Sequence, residues 1–133
     1  MTKRSSTSLI SCGAVTAALG VGLGAFGAHG LKTIVPPDHL VIFETAVRYQ
    51  MYHSFGMMFV GIVAHMVPSL PPRRWMLAGW LFAAGILFFS GSLYLLVLLN
   101  IPWMGAITPL GGISFIAGWL LLGWEIWKAR KSS

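Results

Sequence analysis

Four long apolar runs, separated by short breaks rich in proline, asparagine or arginine, dominate the pattern of this chain. At a 1.5 Å rise per residue, about 20 mostly apolar residues cross the hydrocarbon of a bilayer. The runs at residues 9–28, 43–67, 75–98 and 104–127 each have that length. The pattern predicts an all-α polytopic membrane protein, a compact bundle of four transmembrane helices forming one domain over residues 1–133. Pro36 and Pro37 fall in the first connection, and Asp38 is the expected N-cap of the second helix. Pro68, Pro71 and Pro72 are expected to end that helix, and Arg73 and Arg74 mark the next connection. Asn100 and Pro102 predict the last turn.

Composition strengthens this reading. Hydrophobic residues make up 56% of the 133 and charged residues only 9%, against about 25% charged in soluble domains. The net charge of +6 would suit nucleic acid, yet the basic residues sit at the ends of apolar runs, as topology signals and headgroup anchors do. The expected partner is therefore the lipid bilayer and not nucleic acid. With four spans, Lys3, Arg4, Arg73, Arg74, Lys128, Arg130 and Lys131 share one side, and Lys32 and Arg48 the other. Positive charge is retained inside, so both termini are expected in the cytoplasm and the chain in the bacterial inner membrane, multi-pass. Lys3 and Arg4 before an apolar run also fit a signal peptide, but the run is long and glycine-rich with no Ala-x-Ala site, so a permanent helix is expected. The six tryptophans cluster toward the expected span ends, as an interfacial belt would.

Small residues bear on packing. Gly13, Ala17, Gly20, Gly24 and Gly27 form a nearly continuous stripe on the first span, and Gly79 with Ala83 makes another small pair. Such stripes let helix backbones approach, here within the bundle or across a homo-oligomer. Thr108, Pro109, Gly111 and Gly112 are expected to kink the fourth span against Ser90, Gly91 and Ser92.

Candidate chemistry gathers in the half of the bundle away from the termini. His29, Glu44, Arg48, Tyr49, Gln50, His53, Ser90, Ser92, Tyr94 and Thr108 fall there by register. Glu44 and Arg48 stand four apart, in the favourable order for an ion pair, and Tyr49 and His53 repeat that spacing. Intramembrane ionisable groups face the bundle interior and a partner, so these residues form either a hydrogen-bonded lock or the lining of a polar ligand pocket. No His-x-x-x-His or His-Glu-x-x-His spacing supports a metal or haem. The single Cys12 excludes an internal disulfide and reads as a small buried hydrophobe. Phosphate-loop, nucleophile-elbow and redox-cysteine motifs are lacking, so no catalytic residue, metal or cofactor is expected.

Four ordered segments carry a resemblance: Gly24-Ala-Phe-Gly-Ala-His-Gly-Leu31, Phe43-x-Thr-Ala-x-x-Tyr49-Gln50-x-x-His53, Gly85-x-x-x-Phe89-Ser-Gly-Ser-x-Tyr94, and Gly105-x-x-Thr108-Pro-x-Gly-Gly112. Together they resemble the YgdD/YwdK family of small bacterial inner-membrane proteins, which carries a domain of unknown function. The resemblance implies four membrane helices and no assigned activity. The expected role is a non-enzymatic accessory or scaffold protein with a membrane-protein partner; the alternative is small-ligand binding or transport through the polar cluster.

Overall fold

In the computed structural model, which describes residues 2–67 and 72–131, every regular element is helical and no strand occurs among the described residues. Helix α1 spans Thr2–His29 and a 3-10 turn at Leu31–Thr33 leads into α2, Pro37–Met66. A third rod is made of α3 (Pro72–Gly85), a π-helical segment (Ile86–Ser90) and α4 (Gly91–Leu98). A 3-10 turn at Pro102–Ala106 precedes α5, Thr108–Lys131. Each rod runs antiparallel to the one before it. One end of the bundle therefore carries both termini, and the other the α1–α2 and α4–α5 connections.

Local chemistry sets the helix ends. Pro37, not Asp38, opens α2: Pro36 is the cap and Asp38 lies in the first turn. A proline there forfeits no hydrogen bond, and the carboxylate faces the positive end of the helix dipole. Pro72 likewise opens α3 instead of ending α2, while Pro68 and Pro71 lie outside the described residues. Asn100 closes α4 in the left-handed region at φ 52°, which asparagine tolerates better than most residues. The Ile101 amide then donates back to the Leu96 carbonyl at 3.2 Å.

The kink expected at Thr108–Gly112 is absent, because Pro109 is the second residue of α5, where its missing N–H costs nothing. The irregularity sits instead across from it. At Ile86–Ser90 the ladder widens by one residue, and the Gly91 amide bonds to the Ile86 carbonyl.

Three helical stretches, Arg4–Thr33, Arg73–Leu98 and Pro102–Lys131, are long and apolar enough to cross a membrane. Helix α2 is the longest, at 30 residues, yet falls outside that set because Asp38, Glu44, Arg48, Gln50 and three histidines dilute its apolar character. It occupies the middle of the bundle, packed on α1 along one side and on α3, the π segment and α4 along another. Helix α5 packs on α3 and the π segment.

Glycines make these seams close. The α1 stripe faces α2: a side chain at Gly13 would meet the Ser54 carbonyl at 2.8 Å, and one at Gly27 the Phe43 ring at 3.0 Å. Phe82 inserts between Gly56 of α2 and Gly118 of α5, where an added side chain would meet its ring at 3.0 Å and 2.7 Å. It joins Leu9, Met57, Val60, Trp75 and Leu122 in the main core. Trp75 is thus no belt residue. It is 1% exposed and donates to the Val60 carbonyl at 2.8 Å.

Gly111 is the tightest test of this packing, since a methyl there would run into the backbone nitrogen of Phe89. Gly111→Ala should lower stability by about 1–3 kcal/mol. Gly123→Ala, with open space at the same helix's far end, should stay within about 0.5 kcal/mol of the parent. Detergent-denaturation curves read by circular dichroism compare the two.

Candidate functional site

A polar side chain in the middle of a membrane bundle must find its partner inside the protein, and α2 carries several. Gln50 is 4% exposed and bridges two helices. Its amide nitrogen donates to the Thr16 carbonyl of α1 at 2.7 Å, and its amide oxygen accepts from the Tyr94 hydroxyl of α4 at 2.6 Å. One turn further, the Ser54 hydroxyl lies 2.8 Å from Thr16 Oγ1 and 2.7 Å from the Gln50 carbonyl. Thr16 Oγ1 in turn bonds back to the Cys12 and Gly13 carbonyls of its own helix.

The third rod is tied in by the same device. Ser90, fully buried at the end of the π segment, donates to the Ala46 carbonyl of α2 at 2.7 Å. Ser92 bonds to the Phe89 carbonyl at 2.9 Å and meets the Thr108 hydroxyl of α5 at 2.7 Å. Ser114 of α5 donates to the Leu81 carbonyl of α3 at 2.7 Å. Side-chain donors that capture carbonyls of a neighbouring helix fix axial register as well as contact.

His53, 4% exposed, has both ring nitrogens occupied. Indole nitrogen can only donate, so the Trp119 Nε1 contact at 3.1 Å makes His53 Nε2 an acceptor. Nδ1 therefore carries the proton and donates to the Tyr49 carbonyl at 2.6 Å. The ring is a neutral imidazole of fixed tautomer, stacked on Phe115 with centroids 3.4 Å apart and planes 8° from parallel. Tyr49 and His53 are stacked neighbours, with no hydrogen bond between their side chains.

The ten candidate residues thus divide. Gln50 and Tyr94 share one bridge, Ser92 and Thr108 a second, Ser90 anchors α2, and His53 lies with Tyr49 in an aromatic cluster. His29 is exposed at the end of α1, away from the others. Glu44 and Arg48 are exposed and form no ion pair with each other. They flank a small cavity of about 210 Å³ between α1 and α2, with Gly24 and Gly27 on its other wall.

Thr16, Ser114 and Trp119 complete the polar contacts without having stood out in sequence. Thr16 lay inside an apolar run, Ser114 was a lone hydroxyl, and Trp119 read as a belt residue. A shared level with Gln50, Leu81 and His53 becomes visible only once the helices are docked.

A second buried polar group lies near the termini. Glu125 is 1% exposed, and neither carboxylate oxygen has a hydrogen-bond partner among the described residues. Arg74 Nη1 stands 3.6 Å away on a side chain that is itself 62% exposed. No group of three or more metal-ligating side chains occurs among the described residues.

Glycine-tight helices, an apolar exterior and polar side chains spent on neighbouring helices define an α-helical membrane protein. The family described as "Protein of unknown function (DUF423)" matches residues 23–112, and the chain belongs to it. The UPF0382 membrane protein YwdK of Bacillus subtilis (strain 168) is 47% identical over 113 residues, covering 85% of this chain and 90% of that one. A UPF0382 membrane protein of Staphylococcus saprophyticus is 48% identical over the same length, covering 85% and 91%. No solved structure matches the chain.

Two measurements follow. In a double-mutant cycle, Gln50→Leu and Tyr94→Phe should show a coupling of about 0.6–2 kcal/mol in unfolding free energy; additive losses would mean that the 2.6 Å contact contributes nothing. Arg74→Ala should destabilise the bundle by leaving a buried charge unpaired, whereas Glu125→Leu should hold or raise stability. The same unfolding assay separates them.

Proposed function

We propose that this protein is a non-enzymatic accessory or scaffold subunit of a membrane assembly. It would sit in the bacterial inner membrane, cross it four times and keep both termini in the cytoplasm. The observation that carries the reading is the use of the buried and half-buried polar side chains: Gln50, Ser54, Ser90, Ser92, Thr108 and Tyr94 are engaged across helix seams. Their chemistry is invested in holding a rigid shape, as a scaffold requires.

The connections are short, so recognition would fall on helix faces within the lipid. One such face is the outward side of α1, where Ala14, Ala18, Gly22 and Ala25 are exposed and nothing lies within 4 Å of the Cβ position of Gly22. Close backbone approach by a partner helix is possible there. The orientation rests on Arg4, Arg73, Arg74, Lys128, Arg130 and Lys131 standing at the end that carries the termini.

A photo-reactive side chain at Gly22, activated in intact cells, should cross-link to one defined membrane protein or to a second copy. A chain that stays monomeric and uncross-linked in both cells and mild detergent would defeat the scaffold reading. With Cys12 replaced by alanine, a cysteine at Thr33 should react with an impermeant maleimide in whole cells, and one at Ser133 only after lysis. The reverse pattern would invert the orientation.

A further inference from the structure

Helices α2 and α5 both pack on the third rod but share no extensive backbone contact. The space between them is bridged in part by the His53–Phe115 stack and the Trp119–His53 hydrogen bond. What is left open is a groove of about 560 Å³, lined by Tyr49, Tyr52, His53, Phe89, Phe115 and Trp119, with Gly112 and Ile116 completing it. That volume lies within the range of about 300–1,000 Å³ usual for small-molecule sites. From Gly112 to Trp119 the groove follows two turns of α5, about 10 Å at 1.5 Å per residue. It opens sideways, on the apolar flank of the bundle.

We propose that this groove binds a neutral, flat, membrane-soluble ring bearing carbonyl oxygens, a ligand of the quinone class. Each feature of the lining selects one property of the occupant. Six of the eight lining residues present aromatic rings, which favour a planar π system through stacked or edge contacts. No charged side chain lines the groove, so a phosphate or ammonium headgroup would find no counter-charge. Both nitrogens of His53 are already engaged.

The hydrogen-bonding groups still available are the hydroxyls of Tyr49 and Tyr52, which pair with no described residue and belong to side chains 38% and 54% exposed. A phenol donates well to a carbonyl oxygen, and an acyl chain offers it nothing. The lateral opening admits a ligand that arrives through lipid.

The π segment supplies an independent indication. Phe89, its fourth residue, is a groove wall stacked on Tyr49 with centroids 4.7 Å apart. The widened turn is held by Ser90 donating to Ala46 and Ser92 donating to the Phe89 carbonyl. Single π turns within α-helices concentrate at functional sites, and this one shapes the groove while the rest of the rod stays regular. The site lies beside the Gln50 bridge and does not use it, so the proposal is independent of the scaffold reading.

The test uses the full chain in phosphatidylcholine nanodiscs, titrated with a benzoquinone carrying one isoprenoid unit and read by quenching of tryptophan fluorescence, to which Trp119 contributes. Saturable quenching is expected in the parent. Gly112→Leu should weaken it at least tenfold, since a Cβ there meets nothing closer than Phe89 Cδ2 at 3.9 Å and the larger side chain fills the groove. Tyr52→Phe, which leaves the packing intact, should weaken it several-fold, and it decides the matter if the leucine variant fails to fold. Unsaturable quenching equal in parent and variants would overturn the proposal. So would displacement of the probe by hexadecanol as readily as by a second quinone, which would make the groove an acyl-chain slot.

Discussion

A long helix that buries an amide, an imidazole and a hydroxyl in its middle can sit in a membrane only if neighbours satisfy those buried groups. Gln50 is where this constraint is met most fully, donating to a carbonyl of α1 and accepting from a phenol of α4. Removing water raises the cost of any unmade bond at this depth. Helix α2 is therefore driven to the centre, and α1 and the third rod are drawn to its two sides. The glycine stripe of α1 serves the same end, because Gln50 reaches the Thr16 carbonyl only when the two backbones lie close. Gly13 and Gly20, both buried, provide that closeness.

Much of the architecture was legible in the chain because membrane helices announce themselves by length and apolarity. The polar stretch of α2, too hydrophilic for the middle of a bilayer, suits either the interface or the bundle interior, and it divides: Gln50 and His53 lie inside while Glu44, Arg48, Tyr49 and Tyr52 stand exposed. The α1 glycines pointed to a close seam. The order within the polar set was less legible. Glu44 and Arg48 have the spacing of an ion pair but stand exposed and apart, since spacing places two side chains on one face without saying which solvent that face meets. Trp75 and Trp119 read as belt residues because indole favours interfaces, yet each is spent on an acceptor of α2. Proline and glycine at the start of α5 suggested a break, whereas the real irregularity is a π turn whose sequence, Ile86 to Ser90, holds no breaker at all. A widened turn arises from what the neighbouring helices demand, here Ser90 on Ala46 and Phe89 against Gly111, and local propensity does not encode it.

The two ends of the bundle solve the polar problem differently. Toward the connections, the buried donors and acceptors are matched across helices. Toward the termini, Glu125 is buried 3.6 Å from the Arg74 guanidinium and without a hydrogen bond among the described residues, which in energetic terms is a weak spot. The aromatic groove lies beside the matched region, in the gap that α2 and α5 leave because each is committed to the third rod. A rigid polar seam and an open aromatic slot thus have one origin: α2 bonds to α1 and the third rod, and meets α5 through the His53–Trp119 and His53–Phe115 side-chain contacts.

Exchange of the Gln50 side-chain amide protons with D2O, followed by NMR on protein in nanodiscs, addresses that central bridge directly. An amide held between Thr16 and Tyr94, at 4% exposure, should resist exchange for hours, on the timescale of bundle opening. Loss of the Gln50 signal at the rate of a solvent-exposed amide would mean that water reaches the seam, and that α2 is centred by something other than its polar bonds.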